Sequence, residues 1–167
     1  MNHILFPITY DCNLSCRFCF EKNRKEKVDI GACIRALIAN RGAARWVYIS
    51  GGEPFLVKSL PEICIVLRRY FKIGVTTNGT IQRPEIAELV DRIGISLDGD
   101  RDYHDAYRGP GVFDAAIAFF HTIKGKCETV IMSTDFKENK TALRRLEAIV
   151  LKLNPNYWQI QKAIGIA

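Results

Sequence analysis

The feature that most constrains this chain is an alternation running its whole length, in which short β-rich runs trade places with stretches of helical period. Residues 4–8, 46–49, 73–77, 93–97, 129–133 and 157–164 read as six strands, rich in Ile, Val, Tyr and Thr and bounded by Gly, Asn, Asp or Pro. Pro7 inside the first predicts an edge strand or one that begins irregularly. After Asp29, a suitable N-cap, Cys33, Ile34, Leu37 and Ile38 continue from Ile30 along one helical stripe. Ser59 followed by Glu62 forms a capping-box signature with Pro61 in the first turn, and Ile63, Val66, Leu67, Tyr70 and Phe71 predict the buried face behind it. Residues 84–90 read as a short helix. Phe113, Ile117 and Phe120 mark a fourth helix, and Leu143, Leu146, Val150 and Leu153 a fifth. Six strands alternating with five helices call for right-handed parallel crossovers, and both a doubly wound sheet and a barrel-like sheet satisfy that pattern. In either, ligands bind at the C-terminal strand ends, so the polar stretches 11–27, 51–54, 78–80 and 98–111 are expected to converge.

With 167 residues, 48% hydrophobic and 25% charged, the chain is expected to form one domain over 1–167. It holds no apolar run of membrane-spanning length, and its first residues lack the basic-then-apolar pattern of a secretory signal, so a cytoplasmic protein without a membrane partner is expected. The net charge of +6 suits an anionic partner. Its densest basic run, Lys22-Asn23-Arg24-Lys25-Glu26-Lys27, carries no interleaved aromatics and reads as a solvated loop, so no specific nucleic acid is indicated.

Six cysteines in such a chain argue for thiols rather than disulfides. Cys33, Cys64 and Cys127 are scattered through apolar segments and read as small buried hydrophobes. Cys12, Cys16 and Cys19 instead form a C-x3-C-x2-C array in the loop after the first strand, where soft thiolates can surround iron–sulfur or zinc. No fourth cysteine or histidine follows nearby. That leaves two readings: an incomplete zinc loop, making the chain a structural metal-binding module, or a [4Fe-4S] cluster with one iron open. Gly51 and Gly52 directly follow the second strand, where glycines let a backbone approach a ligand closely or simply make a turn.

These motifs together resemble the radical S-adenosylmethionine (SAM) superfamily, whose signature is C-x3-C-x-Φ-C with an aromatic Φ, here Phe18; Asn13 is also common there. The resemblance implies a partial (β/α)6 barrel of six parallel strands. It implies a [4Fe-4S] cluster on Cys12, Cys16 and Cys19, whose open iron chelates SAM. Reductive cleavage would then give a 5′-deoxyadenosyl radical that abstracts hydrogen from a substrate, with a reductant such as flavodoxin or ferredoxin supplying the electron. The Gly51-Gly52-Glu53-Pro54 segment is the expected binding turn for the SAM amino group. Asn78 resembles a residue lining the site, Ser96 one that contacts the ribose or carboxylate, and Arg108 one that pairs with the carboxylate. Asp98 and His104 are candidates to touch substrate or act as acid and base. The chain departs from the family pattern after Ile164, where only Gly165, Ile166 and Ala167 remain. A sixth helix and C-terminal extension are therefore expected to be absent, with a partner or second subunit covering the open end of the sheet.

The stretch 98–111 resembles peptide-modifying, sulfatase-maturing members and implies a peptide or protein substrate. Asn154-Pro155-Asn156-Tyr157-Trp158 resembles viperin-like members and implies a nucleotide or small molecule. A glycyl-radical activase is a further alternative.

Overall fold

A computed structural model describes residues 2–19, 21 and 24–163; Lys22 and Asn23 of the basic run, and Ile164 to the end, lie outside the described residues. Six strands, β1 (His3–Thr9), β2 (Trp46–Gly51), β3 (Lys72–Thr77), β4 (Arg92–Ser96), β5 (Glu128–Asp135) and β6 (Tyr157–Lys162), pair in parallel in the order β1-β2-β3-β4-β5-β6. This consecutive order decides between the two architectures left open by the sequence. A doubly wound sheet reverses its strand order at a switch point, whereas right-handed crossovers without reversal place every helix on one face and curl the sheet into a partial barrel.

The helices are α1 (Ile30–Ala39), α2 (Leu60–Leu67), α3 (Arg101–Arg108), α4 (Val112–Ile123) and α5 (Lys140–Leu153). Their apolar faces cover Phe6, Ile8, Val47, Ile49, Ile73, Val75, Ile93, Ile95 and Ile131, which alternate along the strands as period-two patterning requires. The fifth expected helix buries Leu143, Leu146, Val150 and Leu153 as predicted. Asp29 caps α1, its Oδ1 accepting from the Ala32 amide at 2.8 Å. β1 is an edge strand whose register shifts between Pro7 and Thr9. Among the described helices none is long and apolar enough to cross a membrane.

Four expectations are corrected. Ser59 precedes α2 but its side chain makes no capping bond, and α2 buries Leu60, Ile63, Cys64 and Leu67 while Val66 and Tyr70 stay exposed. The helix ends after Leu67; Ile63, Leu67 and Phe71 of the expected face are buried, and only Val66 and Tyr70 fall outside it. Residues 84–90 make only a 3₁₀ turn, Pro84–Glu88. The polar stretch 98–111, where no helix was expected, contains α3. Of the scattered cysteines only Cys64 is fully buried, its thiol pushed up to about 12 by burial, while Cys33 and Cys127 are half-buried against the core.

Candidate functional site

The cysteine loop leaves β1 and is fixed first by the end of β2. The Gly52 amide donates to the Thr9 carbonyl at 2.7 Å and the Glu53 amide to the Asp11 carbonyl at 2.8 Å. A Cβ on Gly51 would lie 2.1 Å from Thr9 O, and one on Gly52 would lie 2.2 Å from Asp11 O. The glycines thus allow a close approach to the chain's own backbone one residue before Cys12. The sequence had left that closeness open between a ligand and a turn.

Glu53 carries the tie further. Its buried carboxylate accepts from the Phe55 amide at 3.0 Å and the Thr77 hydroxyl at 2.8 Å on one oxygen, and from the Asn78 amide at 2.8 Å on the other. Burial raises its pKa, opposed by those three donors and by Arg108. The carboxylate therefore locks the β2 end to the β3 end. Pro54 is buried in the turn that follows. Asn78 completes the link: its Nδ2 donates to Asn13 Oδ1 at 3.0 Å, its Oδ1 accepts from the Thr80 amide at 2.9 Å, and Asn13 Nδ2 donates to Thr80 Oγ1 at 2.8 Å. The polar stretches after β1, β2 and β3 converge through these bonds.

The fourth stretch joins through α3. The Arg17 amide donates to the Tyr107 carbonyl at 3.0 Å, and the Arg108 guanidinium lies 5.2 Å from the centre of the Phe18 ring. Phe18 also packs on Phe136, at 4.5 Å between ring centres. Arg108 Nε donates to Asp98 Oδ2 at 2.6 Å, and Asp98 Oδ1 accepts from the Thr134 amide at 2.8 Å. The Asp98 amide donates to His104 Nδ1 at 3.2 Å. Asp98 and His104 are both 0% exposed, and burial, then the Arg108 charge, lowers the His104 pKa to about 4. Asp98 lies in the turn between β4 and α3 and His104 in α3, and their hydrogen bonds shape that turn. Ser96, at the end of β4, is half-buried beside its register partner Met132.

Cys12 is exposed, Cys16 buried and Cys19 half-buried. Burial raises the Cys16 thiol, Arg108 pulls it down, and Cys12 and Cys19 push it up, so the three sulfurs share one electrostatic neighbourhood with Arg108 at its edge. Among the described residues no three such side chains close on a single metal ion. A four-iron cluster, with each cysteine on a different iron, does not require that closeness. Three thiols of graded exposure at the C-terminal strand ends fit such a group.

Several of these residues left no sequence signal. Asn139, 0% exposed, donates through Nδ2 to the carbonyls of Asp98 at 3.0 Å and Thr134 at 2.7 Å, and through Oδ1 accepts from the Phe136 amide at 2.8 Å. Thr77, Thr80 and Tyr107 likewise act through partners distant in sequence.

The "Radical SAM superfamily" model matches residues 6–146. The chain belongs to this superfamily. Membership of the superfamily implies a [4Fe-4S] cluster and SAM. The chain is 30% identical over 159 residues to Fe-coproporphyrin III synthase of Methanosarcina barkeri, covering 87% of this chain and 39% of that protein. It is 31% identical over 120 residues to the antilisterial bacteriocin subtilosin biosynthesis protein AlbA of Bacillus subtilis, covering 64% of this chain and 27% of that protein. Streptococcus suis SuiB bound to S-adenosylmethionine shares the fold with a TM-score of 0.84 at 18% identity, covering 99% of this chain and 41% of SuiB. The radical SAM chain described here thus spans between 27% and 41% of these three relatives.

Proposed function

We propose that this chain is the radical-generating core of an enzyme that abstracts hydrogen from a peptide or protein. Cys12, Cys16 and Cys19 would hold the cluster, with Gly51 to Pro54, Asn78, Ser96, Phe18 and Arg108 around the SAM site. When bound, the reduced cluster and SAM supply a 5′-deoxyadenosyl radical. The protein's own part is to orient these groups at the strand ends and to shape the inner face below them.

The chemistry of that inner face carries the peptide reading. Parallel register places Ser50 beside Pro7 and sets Thr76, Gly94 and Val130 in one row across the sheet and Ser96, Met132 and Gln159 in the next. These positions alternate with the helix-facing core, so they line the hollow of the sheet with hydroxyls, an amide, a thioether and small apolar groups. Among the described residues the two cations at its base are already engaged. Arg92 donates to Glu128 at 2.6 Å and to the Tyr48 hydroxyl at 2.8 Å, and Lys72 pairs with Asp91 at 2.9 Å. A nucleotide's phosphates or a porphyrin's carboxylates would be stripped of water there without a cation to receive them, at a cost of several kcal/mol, on the order seen for unpaired buried charges. A neutral peptide segment meets hydrogen-bonding partners instead. The bacteriocin-biosynthesis relative AlbA agrees with this reading.

The viperin-like signature does not favour the nucleotide alternative, because its residues have structural work. Asn154 ends α5 in the left-handed conformation, Asn156 Oδ1 accepts from the Thr129 amide at 2.8 Å, and Trp158 Nε1 donates to Ser133 Oγ at 2.9 Å.

The test is deuterium transfer. Anaerobically reconstituted protein, a reductant and SAM are incubated with extract from cells grown on deuterated amino acids, and 5′-deoxyadenosine is analysed by mass. Label from a protease-sensitive fraction is expected. Label that survives proteolysis and follows the small-molecule fraction would transfer the function to the nucleotide class.

A further inference from the structure

Asp98 and Arg108 form the most deeply buried ion pair among the described residues; the proposed function sets Arg108 beside the SAM site but gives Asp98, and the pairing itself, no task. Their side chains are 1% and 11% exposed. The acidic end is fixed from three sides: Asp98 Oδ1 accepts from Thr134, its amide donates to His104, and its carbonyl accepts from Asn139. The basic end extends from the last residue of α3 toward the cysteine loop, with the guanidinium over Phe18, which lies between Cys16 and Cys19. Only Nε has a hydrogen-bond partner among the described residues. The Arg17–Tyr107 backbone bond pins α3 to the same loop. The pair is therefore an oriented dipole, its positive end nearer the cluster ligands.

We propose that Asp98 and Arg108 are positioning residues that set the charge around the iron–sulfur cluster: Asp98 holds the guanidinium against the cysteine loop, where it stabilises the reduced cluster and raises its midpoint potential. Cluster potentials follow net charge, hydrogen bonding and exposure, and a guanidinium in a dry surround acts with far less screening than one in water. Adding an electron makes the cluster more negative, so a fixed positive neighbour favours the reduced form. A substrate-directed Asp98 would need exposure that it lacks. The inference rests on the superfamily's cluster and is independent of which substrate the enzyme takes.

The test is an EPR-monitored redox titration of reconstituted protein without SAM. Arg108→Met is expected to move the midpoint potential to a more negative value, and Arg108→Lys to restore most of the shift because it keeps the charge. Asp98→Asn, which leaves the guanidinium uncompensated, is expected to move it the other way. An unmoved potential in Arg108→Met protein with full iron and sulfide would overturn the proposal, as would shifts of the same sign in Arg108→Met and Asp98→Asn. Weakened SAM binding with an unmoved potential would assign the guanidinium to the cosubstrate carboxylate alone. If Arg108→Met fails to assemble a cluster, Arg108→Lys and Asp98→Asn decide. Clusters absent from all three variants would make the pair purely structural and overturn the proposal. A failure of the peptide reading would alter none of these potentials.

Discussion

Gly52 has no room for a methyl group: a Cβ there would lie 2.2 Å from the Asp11 carbonyl oxygen and 2.7 Å from that of Tyr10. Both obstacles are backbone, so the strand end itself has to yield. Gly52→Ala is expected to cost about 1–3 kcal/mol in chemical denaturation, the usual scale for overpacking. It should also lower iron incorporation, because the displaced backbone leads directly into Cys12; full stability and full iron content together would show that the loop adapts freely. Cys16→Ala makes the complementary case. It removes a proposed ligand from a loop outside the main core, so the far-UV circular dichroism should be retained while the reconstituted iron–sulfur absorbance disappears. Among these residues the cysteines were legible because their spacing is a property of the chain alone. The work of Glu53 was not, since its partners Thr77 and Asn78 lie 24 and 25 residues away and become neighbours only when β2 and β3 pair.

At the scale of elements, the six strands and α1, α4 and α5 could be read from the sequence pattern, but α3 could not. Its sequence, Arg-Asp-Tyr-His-Asp-Ala-Tyr-Arg, has no apolar stripe, and its one buried residue is His104. A ligand-side helix of this kind is held by tertiary bonds: Asp105 accepts from the Gly111 and Phe113 amides at 2.8 Å each, fastening the start of α4 to it. Burying a histidine there has a measurable consequence. Burial and the neighbouring Arg108 charge lower its pKa to about 4, while Asp98 and Asp105 oppose them less strongly. The unfolded chain therefore binds this proton more readily, since free histidine titrates near ~6.5. The contribution of neutral His104 is complete above about pH 6.5 and is lost as pH falls toward 4, with a slope of at most about 1.4 kcal/mol per pH unit. Urea denaturation across that window should show wild-type protein losing stability on acidification faster than His104→Gln. Parallel curves would place the ring in solvent or give it a partner that accepts its charge.

For the whole molecule, the sequence left open whether the sheet was doubly wound or curled, because the choice lies in strand order and not in any local pattern. The curled form imposes its own requirement: side chains on the inner face are crowded, and bulk on one strand needs a gap on the next. Gly74 and Gly94 supply the gaps. The Tyr48 ring crosses Gly74 so that its hydroxyl reaches Arg92 at 2.8 Å, and the Arg92 guanidinium stacks between Trp46 and Tyr157, 4.7 Å from each ring centre. These contacts close the floor of the hollow from β2 to β6. A Cβ on Gly94 would meet the end of the Met132 side chain at 2.4 Å, and that flexible thioether can move aside. A Cβ on Gly74 would meet the Tyr48 ring, also at 2.4 Å, and a ring tied to Arg92 cannot move without breaking the floor. Gly74→Ala is therefore expected to destabilise by about 1–3 kcal/mol, and more than Gly94→Ala. The decisive variant removes the obstacle. In a Tyr48→Ala background the clash is gone and only backbone freedom remains, so the same Gly74→Ala change should stabilise, by about 0.5–1 kcal/mol, because alanine suits a strand better than glycine. A reversal of sign in this double-mutant cycle, read by urea denaturation, is the signature of a sheet curled around Tyr48. Additive effects would mean that the ring does not lie over Gly74 in solution and that the floor is built another way.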